Sequence, residues 1–423
     1  MSRVGVIGLG YVGLTTAVGL ARLGHQVVGY DINESRVKSL SQGQSPIHED
    51  GLEDWIGKCI ADKSLSFTSD SAEFADAECD FLFICVATPQ DKDGAADLSV
   101  VFNVAQQVAA FALPDSVIVV KSTVPVGTGA KIKEIIGRPD VQVASNPEFL
   151  REGTALLDFM EPDRIVVGAQ SDSVSHKVLQ LYSKISSPKV ATSIESAELT
   201  KYAANAYLAM RLTFANDIAE LSARSGAKVD DVLITMGLDK RIGPSFLKPG
   251  PGWGGSCFPK DTKALVLVAS EFGVNLPLVS ATVKSNEAAF VRAAESIAEL
   301  CGGSLRGKTI AVWGLSFKAG TDDTRDSPAL AIIEVLIGKG ATVRAYDPIA
   351  SAPTLEGLVQ SHSAIEAAQG ADALAVLTEW SEFTSEDPDL VAAAMKNAAV
   401  FDGRRILPKD WRTSFSSFRA LGE

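Results

Sequence analysis

The chain has 423 residues, of which 46% are hydrophobic and 22% are charged. At roughly 150 residues per domain, this length predicts two to three domains with full hydrophobic cores and excludes a disulfide-stapled minidomain. Lys and Arg number 39 against 52 Asp and Glu, a formal net charge of −13. Such a molecule repels phosphate backbones and anionic membrane surfaces, which argues against nucleic acid or a membrane as a partner.

Cysteine usage and the start of the chain indicate a reducing compartment. The five cysteines are an odd number and form no C-x-x-C pair, so neither a disulfide framework nor a structural zinc site is indicated. The first residues lack the three regions of a signal peptide, and no run of about 18 apolar residues occurs. We therefore expect a cytoplasmic protein, and we predict no metal site.

Short β-branched runs alternate with amphipathic stretches in the first part of the chain. The predicted strands are residues 4–7, 26–30, 81–86, 117–120 and 141–144. This rhythm predicts βαβ units and a parallel sheet. A further strand at 164–168 is expected to extend the sheet.

A long helix is predicted next. Residues 192–195 have the Ser/Thr-x-x-Glu form of a capping box, with Thr192 and Glu195 as its ends, and the helical pattern lasts to Ser225. About 30 residues give a rod of about 45 Å, which can join two domains and pair with a second copy of the chain. An irregular Gly- and Pro-rich segment comes next at 241–261, and residues 262–300 are mostly helical.

The α/β rhythm then returns, with a strand at 308–314, a helix at 328–338 and a strand at 341–347. The predicted fold class is therefore α/β, with two Rossmann-like doubly wound domains joined by a long central helix and a helical middle domain. The expected boundaries are 1–192, 193–302 and 303–423. The second α/β domain keeps only Gly314 and Gly320 of the glycine pattern, so it is expected to bind a nucleotide differently, or not through the same turn.

A G-x-G-x-x-G turn comes directly after the first strand. Its glycines are Gly8, Gly10 and Gly13, and Asp31 lies 18 positions after the last of them. In this context the glycines permit close approach of a pyrophosphate to a helix N-terminus, and Asp31 accepts hydrogen bonds from a ribose. NAD is favoured over NADP because Asp31 repels a 2′-phosphate. The alternative is that the glycines serve only packing and that Asp31 is a turn residue.

Polar residues lie at the ends of three other predicted strands. Thr88 and Thr123 place hydroxyls at the carboxyl edge of the sheet, where ligands bind in open α/β folds, or else they are ordinary turn residues. Glu148 and Glu152 come after the next strand. Glu148 is a candidate general base, provided that burial raises its pKa. The alternative is a carboxylate that caps its own loop.

Two further motifs carry candidate chemistry. Lys201 and Asn205 are four positions apart on the predicted helix and project from one face, either to stabilise charge on a reacting oxygen or as a solvated face. Cys257 lies in a glycine-bracketed loop three positions before Lys260, a setting that favours the thiolate. The other four cysteines are expected to be inert: Cys59, Cys79, Cys85 and Cys301.

Five cations in loop regions are expected to form a local diphosphate or carboxylate site, the alternative being solvated loops. They are Arg241, Lys248, Lys260, Lys318 and Arg325.

Six motifs occur together and in order along nearly the whole chain, at residues 8–13, 122–128, 146–153, 201–207, 254–261 and 321–328. In this combination the chain resembles the nucleotide-sugar 6-dehydrogenases, and residues 146–153 and 241–243 resemble the branch that uses UDP-glucose. Relatives that use GDP-mannose or UDP-N-acetylhexosamines share the Cys and Lys/Asn motifs, so these substrates stay open. Trp253 stands where Tyr or Phe is common in the family.

The resemblance implies an NAD site, a UDP-glucose site between the two α/β domains, and a homodimer or larger homo-oligomer built on the long helix. The implied cofactor contacts are Gly8, Gly10, Tyr11, Val12, Gly13, Asp31, Arg36, Thr88, Thr123, Glu152, Lys260 and Arg325. The implied substrate contacts are Glu148, Phe149, Leu150, Arg151, Glu152, Lys201, Asn205, Arg241, Phe246, Leu247, Lys248, Gly250, Gly254, Phe258 and Lys318. Arg241 is expected to reach the site of the partner subunit.

The resemblance also implies two successive NAD-dependent oxidations at one site. Asp261, directly or through water, takes the hydroxyl proton while Lys201 and Asn205 steady the oxyanion. Cys257 then adds to the aldehyde, and the thiohemiacetal is oxidised to a thioester.

Water, aided by Glu148 and positioned with Thr123 and Asp261, is expected to release the sugar acid.

Two other functions stay open. A two-electron hydroxyacid dehydrogenase also joins a Rossmann domain to a helical domain with Lys and Asn four apart, but it leaves Cys257 and the C-terminal domain unused. A non-catalytic NAD sensor or binding module predicts cofactor binding that survives Cys257→Ala.

Overall fold

The computed structural model describes residues 1–91 and 94–423. Within these residues the chain divides into two compact units, Met1–Ala204 and Asn205–Glu423. The boundary falls inside a single long helix, Ile194–Ser225. The division into three domains at 1–192, 193–302 and 303–423 stays a prediction.

The first unit is built on a mainly parallel sheet. Its strands are β1 (Arg3–Ile7), β2 (Gln26–Tyr30), β3 (Leu65–Thr68), β4 (Phe81–Ile84), β5 (Val117–Val120), β6 (Gln142–Ser145), β7 (Ile165–Ala169) and β8 (Lys189–Thr192). Their spatial order is β3-β2-β1-β4-β5-β6-β7-β8. The first six strands thus have the order of a Rossmann sheet, whose ligands bind where the strand order reverses, between β1 and β4.

Helices cover both faces of this sheet. They are α1 (Tyr11–Arg22), α2 (Glu34–Ser41), α3 (Leu52–Ala61), α4 (Ser71–Asp76), α5 (Ser99–Phe111), α6 (Thr128–Ile136), α7 (Ala155–Met160) and α8 (Asp172–Leu179), with a 3-10 helix at Gln180–Tyr182. Leu14 of α1 packs in the core on one face and Val101 of α5 in the core on the other. β4 and β5 are buried at every position, as expected for parallel strands covered on both sides.

The pairing of β6 with β7 is antiparallel, with Ser145 opposite Gly168. The predicted strand at 164–168 therefore does extend the sheet, but the expectation of a parallel sheet is wrong at this pair. Because β7 starts at the edge where β6 ends, the connection 146–164 stays at the carboxyl edge and does not cross a face of the sheet. This keeps residues 146–153 beside the ends of the parallel strands.

The predicted long helix is confirmed as α9 (Ile194–Ser225), which is continuous over 32 residues. Ser193 caps it, with Oγ accepting a hydrogen bond from Ser196 N at 3.2 Å. Thr192 is instead the last residue of β8. The capping box expected from Thr192 and Glu195 is therefore wrong by one residue.

The helices after α9 are α10 (Val229–Leu238), which was not predicted, α11 (Phe258–Glu271) and α12 (Pro277–Leu300). α11 begins earlier than expected, so Lys260 and Asp261 lie on its first turn and not in an irregular segment. Pro259 explains the difference, because proline at the first positions of a helix has no N–H to lose and a suitable φ.

The second unit contains a parallel sheet of order β11-β10-β9-β12-β13-β14, which repeats the Rossmann pattern. Its strands are β9 (Thr309–Trp313), β10 (Thr342–Tyr346), β11 (Leu358–Gln360), β12 (Ala373–Val376), β13 (Ala399–Asp402) and β14 (Ser417–Ala420). Its helices are α13 (Pro328–Gly338), α14 (Ala364–Ala368), α15 (Pro388–Ala394) and α16 (Trp411–Ser414), with a 3-10 helix at Ser381–Ser385. The predicted helix 328–338 is confirmed to the residue.

Candidate active site

The turn after β1 has the geometry of a phosphate cradle. Gly8 has a φ of +88° and donates its N–H to Tyr30 O at 2.8 Å. A Cβ on Gly13 would lie 1.7 Å from Gly8 O, whereas a Cβ on Gly10 would meet nothing within 4 Å. Gly10 is also the N-cap of α1, with no side chain closing the helix end. The N-terminus of α1 is therefore open to an anion.

Asp31 closes this turn from the end of β2. Its Oδ2 accepts hydrogen bonds from Leu9 N at 2.8 Å and from Arg36 Nη1 at 2.9 Å. Its Oδ1 accepts one from Asn33 N at 2.9 Å. The turn role that the sequence left as an alternative for Asp31 is thus present, beside any contact with a ribose.

The ends of β4 and β5 are tied together at the carboxyl edge. Thr88 Oγ1 donates a hydrogen bond to Thr123 O at 3.0 Å, and Ser122 Oγ donates one to Val86 O at 2.6 Å. Thr88 is buried and Thr123 half-buried. Thr88 thus has a structural contact that fixes the loop carrying Thr123.

Glu148 and Lys201 form a buried ion pair, with 2.7 Å between Oε1 and Nζ. Glu148 Oε2 also accepts a hydrogen bond from Leu150 N at 2.6 Å, which is the loop-capping alternative for this residue. Burial acts to raise the pKa of Glu148, but the charge and hydrogen bond of Lys201, with the hydrogen bond from Leu150 N and the charge of Lys121, outweigh it and the pKa lies below its usual value. The rise proposed for a general base is therefore not found. Phe149 packs beside the pair, its ring centroid 5.6 Å from Lys201 Nζ.

Lys121, which sequence reasoning did not select, lies behind this pair. It is 5% exposed, and its Nζ is 3.3 Å from Asn146 Oδ1, which also accepts a hydrogen bond from Tyr182 at 2.6 Å. Burial lowers the pKa of Lys121 to about 8, although the nearby charge of Glu148 favours the protonated form. The signal in the sequence was a lysine placed directly after an apolar strand.

Glu49 connects the glycine-rich turn to the 148–153 segment and was also missed. Its carboxylate accepts hydrogen bonds from the Tyr11 hydroxyl, from Gly153 N and, at 3.0 Å, from Ala155 N. Tyr11 and Val12, the first residues of α1, are half-buried, as is Glu152. Arg151 is exposed and pairs with Asp158 across 2.5 Å.

In the second unit, Asn205, Lys260 and Asp261 form a compact polar cluster. Asn205 Nδ2 donates a hydrogen bond to Asp261 Oδ2 at 2.6 Å, and Lys260 Nζ donates one to Oδ1 at 2.6 Å. Asp261 is buried on the first turn of α11. The cluster therefore presents a fixed carboxylate beside an ammonium and an amide donor.

Cys257 is the N-cap of α11 and is half-buried, with Sγ 3.6 Å from Ser256 Oγ. The N-terminal end of a helix stabilises negative charge on such a sulfur. In the other four cysteines burial raises the pKa of the thiol, to about 12 for Cys79 and Cys85, which disfavours the thiolate. Cys257 is thus the candidate nucleophile of the described part of the chain.

A cavity of about 290 Å³ opens in the second unit and brings together six of the predicted substrate contacts, namely Phe246, Lys248, Gly250, Gly254, Phe258 and Lys318. Leu247 is buried outside its lining and Arg241 is exposed and paired with Asp239. Phe246 has a φ of +59°, a strained conformation that is typical of functional sites.

Arg404 also lines this cavity and was not selected from the sequence. Its guanidinium donates hydrogen bonds to Leu377 O at 2.8 Å and Phe317 O at 2.9 Å and lies 3.1 Å from Glu379. Arg325, by contrast, is exposed and pairs with Asp323 across 2.6 Å. Of the five loop cations expected to form one anion site, Lys248 and Lys318 thus line this cavity, and Arg404 joins them.

Three domain models of the UDP-glucose/GDP-mannose dehydrogenase family match the chain in order: the NAD binding domain at residues 2–186, the central domain at 195–288 and the UDP binding domain at 311–409. The chain belongs to this family. It is therefore an NAD-dependent oxidoreductase, and the resemblance found in the sequence is confirmed.

Similar proteins span nearly the same length. The UDP-glucose 6-dehydrogenase of Rhizobium meliloti (strain 1021) is 45% identical over 421 residues, which cover 96% of each chain. That of Pseudomonas aeruginosa is 40% identical over 425 residues, 96% of this chain and 93% of the other. A solved UDP-glucose dehydrogenase from Pyrobaculum islandicum has a TM-score of 0.91 at 37% identity, covering 100% of this chain and 98% of that one. The α/β fold class with Rossmann-like domains is thus confirmed.

Across residues 1–91 and 94–423, no helix has both the length and the apolar character needed to cross a bilayer. The same residues contain no group of three or more His, Cys, Asp or Glu side chains arranged to hold a metal ion.

Proposed function

We propose that this family member oxidises C6 of UDP-glucose twice, from the alcohol to the carboxylate of UDP-glucuronate. Support comes from the relatives of 45% and 40% identity described as UDP-glucose 6-dehydrogenases. The observation that carries the proposal is the start of α11, where Cys257 is the N-cap residue and Asp261 accepts a hydrogen bond from Asn205 of α9. A two-electron hydroxyacid dehydrogenase needs no nucleophilic cysteine at such a place.

The first unit carries residues that fit NAD. The open N-terminus of α1 at Gly10 suits the pyrophosphate, and Asp31 at the end of β2 suits a ribose. NAD, when bound, supplies the hydride acceptor for each oxidation. The further cofactor contacts that we propose are Gly8, Tyr11, Val12, Gly13, Arg36, Thr88, Thr123, Glu152, Lys260 and Arg325.

The cavity of the second unit fits a nucleoside diphosphate. Its aromatic side chains Phe246 and Phe258, with ring centroids 6.3 Å apart, suit a base. Lys248, Lys318 and Arg404 on its walls suit the diphosphate. The match of the UDP binding domain to residues 311–409 supports UDP as the nucleotide. The remaining predicted substrate contacts stay part of the proposal.

In the first oxidation Asp261 accepts the proton of the C6 hydroxyl, directly or through water, as C6 becomes an aldehyde. Asn205 holds one oxygen of that carboxylate and Lys260 the other, which fixes its orientation. Lys201, one turn before Asn205 on α9, acts together with Asn205 to stabilise the developing negative charge on the C6 oxygen.

In the second oxidation Cys257 Sγ adds to the aldehyde carbon, whose oxygen takes a proton, and gives a thiohemiacetal. Loss of a second hydride and of the hydroxyl proton leaves a thioester. Water then adds to this carbonyl and Cys257 leaves as the thiolate, which yields the carboxylate and restores the enzyme. Glu148 stays ionised beside Lys201 and aids the attacking water, with Thr123 and Asp261 as further contacts.

The long helix supports a homodimer. Tyr207, Phe214 and Leu221 lie at intervals of seven on α9, and all three are exposed. An apolar stripe of this spacing is typical of helices that pair along their length. We propose that two copies of the chain pair through it, and the expected cytoplasmic location stays a prediction.

The test of the proposed reaction is the amount of NADH formed per molecule of limiting UDP-glucose in excess NAD, with GDP-mannose and a UDP-N-acetylhexosamine as parallel substrates. We expect two NADH per UDP-glucose. One NADH would contradict the second oxidation, and two NADH with another sugar alone would keep the chemistry but replace the substrate.

Cys257→Ser tests the nucleophile, with Cys301→Ser as a matched control, since Cys301 is also half-buried but has no place in the proposed reaction. We expect Cys257→Ser to lower kcat by at least about 1,000-fold with folding and NAD affinity unchanged. Cys301→Ser should keep its activity. A Cys257→Ser protein with ordinary turnover would refute the covalent steps.

A further inference from the structure

Three successive turns of α9 carry buried polar side chains on one face. Glu198, Lys201 and Asn205 are three and four positions apart, the spacing that aligns helical side chains. All three are buried, and each bonds a different element. Lys201 and Asn205 take part in the proposed reaction. Glu198, one turn before Lys201, is not part of that reaction.

Both oxygens of Glu198 bond the turn that leads into α6. Oε2 accepts a hydrogen bond from Gly127 N and Oε1 one from Gly129 N, each at 2.7 Å. Gly127 has a φ of +95°, which favours glycine. A Cβ on Gly129 would lie 2.4 Å from Ile194 Cγ2 and 3.2 Å from Glu198 Oε1. The two glycines therefore form a backbone cradle of the kind that binds an anion.

The charge of Glu198 is costly. The residue is 2% exposed, and burial raises its pKa to about 7 despite the hydrogen bonds from Gly129 and Gly127. An apolar side chain would avoid that cost but would leave the N–H groups of Gly127 and Gly129 without these acceptors. The carboxylate at this place therefore serves to hold the turn at the start of α6.

The turn that Glu198 binds belongs to the loop that carries Thr123. Pro125 O accepts hydrogen bonds from the hydroxyl of Thr128 at 2.6 Å and from its N–H at 3.2 Å, so residues 125–128 form one tight turn. At the other end, Thr88 bonds the carbonyl of Thr123. The loop is thus held near one end by Thr88, at the carbonyl of Thr123, and near the other by Glu198, at Gly127.

We propose that Glu198 is a positioning residue for the oxidation. Its carboxylate and the N–H groups of Gly127 and Gly129 form a clamp that holds the loop 123–129 against α9 and so keeps Thr123 in its place at the cofactor. The inference rests on the proposed place of Thr123 in the NAD site. Protonation of Glu198 removes its charge and turns one acceptor oxygen into a hydroxyl. The loop is then held by one neutral hydrogen bond in place of two charge-assisted ones.

The charges facing Glu198 influence the pH at which it is protonated. On α9, Glu195 raises the pKa of Glu198, while Lys201 on the next turn is engaged in its own ion pair. At the start of α6, the backbone N–H groups of the turn and the positive end of the helix favour the charged form of Glu198. Lys131 of α6 lies at the surface and pairs with Glu134.

The test is the NAD dissociation constant, measured by calorimetry between about pH 6 and about pH 8 for the wild type, Glu198→Gln and Glu195→Gln. Glutamine offers one acceptor oxygen and no charge. Glu195 is an exposed glutamate one turn earlier, so its variant removes a charge of the same sign. Because Glu195 raises the pKa of Glu198, Glu195→Gln should keep its NAD affinity to a lower pH than the wild type.

At about pH 8 we expect Glu198→Gln to bind NAD about 10-fold more weakly than the wild type, and Glu195→Gln to bind within about twofold of it. Towards about pH 6 the wild type should weaken and approach Glu198→Gln, and a pH dependence common to both proteins is assigned to other groups such as Lys121, whose pKa of about 8 lies in this range. The clamp would be refuted by a wild-type affinity that does not change with pH, or by equal pH dependence in wild type and Glu198→Gln.

Amide hydrogen exchange separates failure of the clamp from failure of the proposed function, because it requires neither NAD nor sugar. At about pH 8, the N–H groups of Gly127 and Gly129 should exchange at least about 10-fold faster in Glu198→Gln than in Glu195→Gln. Equal rates would overturn the clamp even if the wild type oxidises UDP-glucose. Glu198→Asp, which keeps the charge but shortens its reach, should give intermediate rates.

Discussion

The first turn of each sheet, after β1 and after β9, is built from the same hydrogen bonds. Gly8 N bonds Tyr30 O at 2.8 Å, and Gly314 N bonds Tyr346 O at 2.8 Å. An aspartate comes directly after each tyrosine, and Asp347 Oδ2 accepts a hydrogen bond from Leu315 N at 2.7 Å, as Asp31 does from Leu9 N. The acid at the end of the second strand is therefore a structural part of the turn in both units.

The two turns differ in the position of the next helix. In the first unit α1 begins at Tyr11, directly after Gly10, with its N-terminus open. In the second unit α13 begins only at Pro328, and Asp347 Oδ2 also accepts hydrogen bonds from Ser316 and from the indole of Trp380. A glycine and an aspartate thus do not make a dinucleotide site by themselves; a helix must start at once behind them, with a glycine at its cap.

The largest effect is expected at Asp347. Replacing it with alanine leaves several buried donors without an acceptor, so Asp347→Ala should lower the free energy of unfolding of the second unit by about 3–5 kcal/mol. Urea denaturation measures this, and Glu356→Ala, at an exposed loop position of the same unit, is the control. A loss below about 1 kcal/mol would contradict the structural role of the acid.

Gly10→Ser gives the first turn the residue that the second has at Ser316. We expect the dissociation constant for NAD to rise about 100-fold, because the hydroxyl caps the helix N–H groups and occupies the space of the pyrophosphate. Stability should not fall, since a Cβ on Gly10 meets no protein atom within 4 Å. Calorimetry measures the affinity. The reverse change, Ser316→Gly, should leave NAD affinity as it is, and unchanged affinity in Gly10→Ser would exclude NAD from this turn.

The smallest effect concerns the carboxyl edges of the two sheets. Lys121 comes directly after β5, whereas Gly403 comes directly after the equivalent β13. The pKa of Lys121 is lowered to about 8, so its charge destabilises the folded state below about pH 8. This cost disappears as the pH rises from about 8 towards the pKa of free lysine. We expect Lys121→Met to be more stable by about 1–3 kcal/mol near pH 7, with a smaller difference near pH 10.

Urea denaturation at several pH values checks this difference in stability. Lys131→Met, at an exposed lysine of α6, is the control and should change stability by less than about 0.5 kcal/mol at every pH. A stability difference for Lys121→Met that stays constant with pH would show that the buried charge is not its origin.

The parts of the site that sequence reasoning found depend on local patterns. The glycines of the first turn and Asp31 are recognisable because their spacing is set by one strand, one turn and one helix. Lys201 and Asn205 are recognisable as one face of a helix. Cys257 is recognisable from its glycine-bracketed loop. Pro259 was assigned to that loop as well, although it lies at the start of α11.

The parts that were missed depend on partners distant in the chain. Glu198 bonds Gly127 across 71 positions, and Arg404 bonds Phe317 across 87. Glu49 bonds Ala155 across 106 positions. Nothing near these residues in the sequence indicates such partners, because strand order and the antiparallel return to β7 bring them together. Each reads locally as an ordinary charged residue of a loop or helix.

The continuity of α9 also limits how this chain can vary in length. Each residue of a helix advances the chain by about 1.5 Å and turns it by about 100°. A single residue inserted between Lys201 and Asn205 would therefore turn Asn205 away from the face that it shares with Lys201, although every side chain would still be present. We expect insertions and deletions to be tolerated in the surface loops and to be excluded from this stretch of helix, where the position of a residue matters as much as its identity.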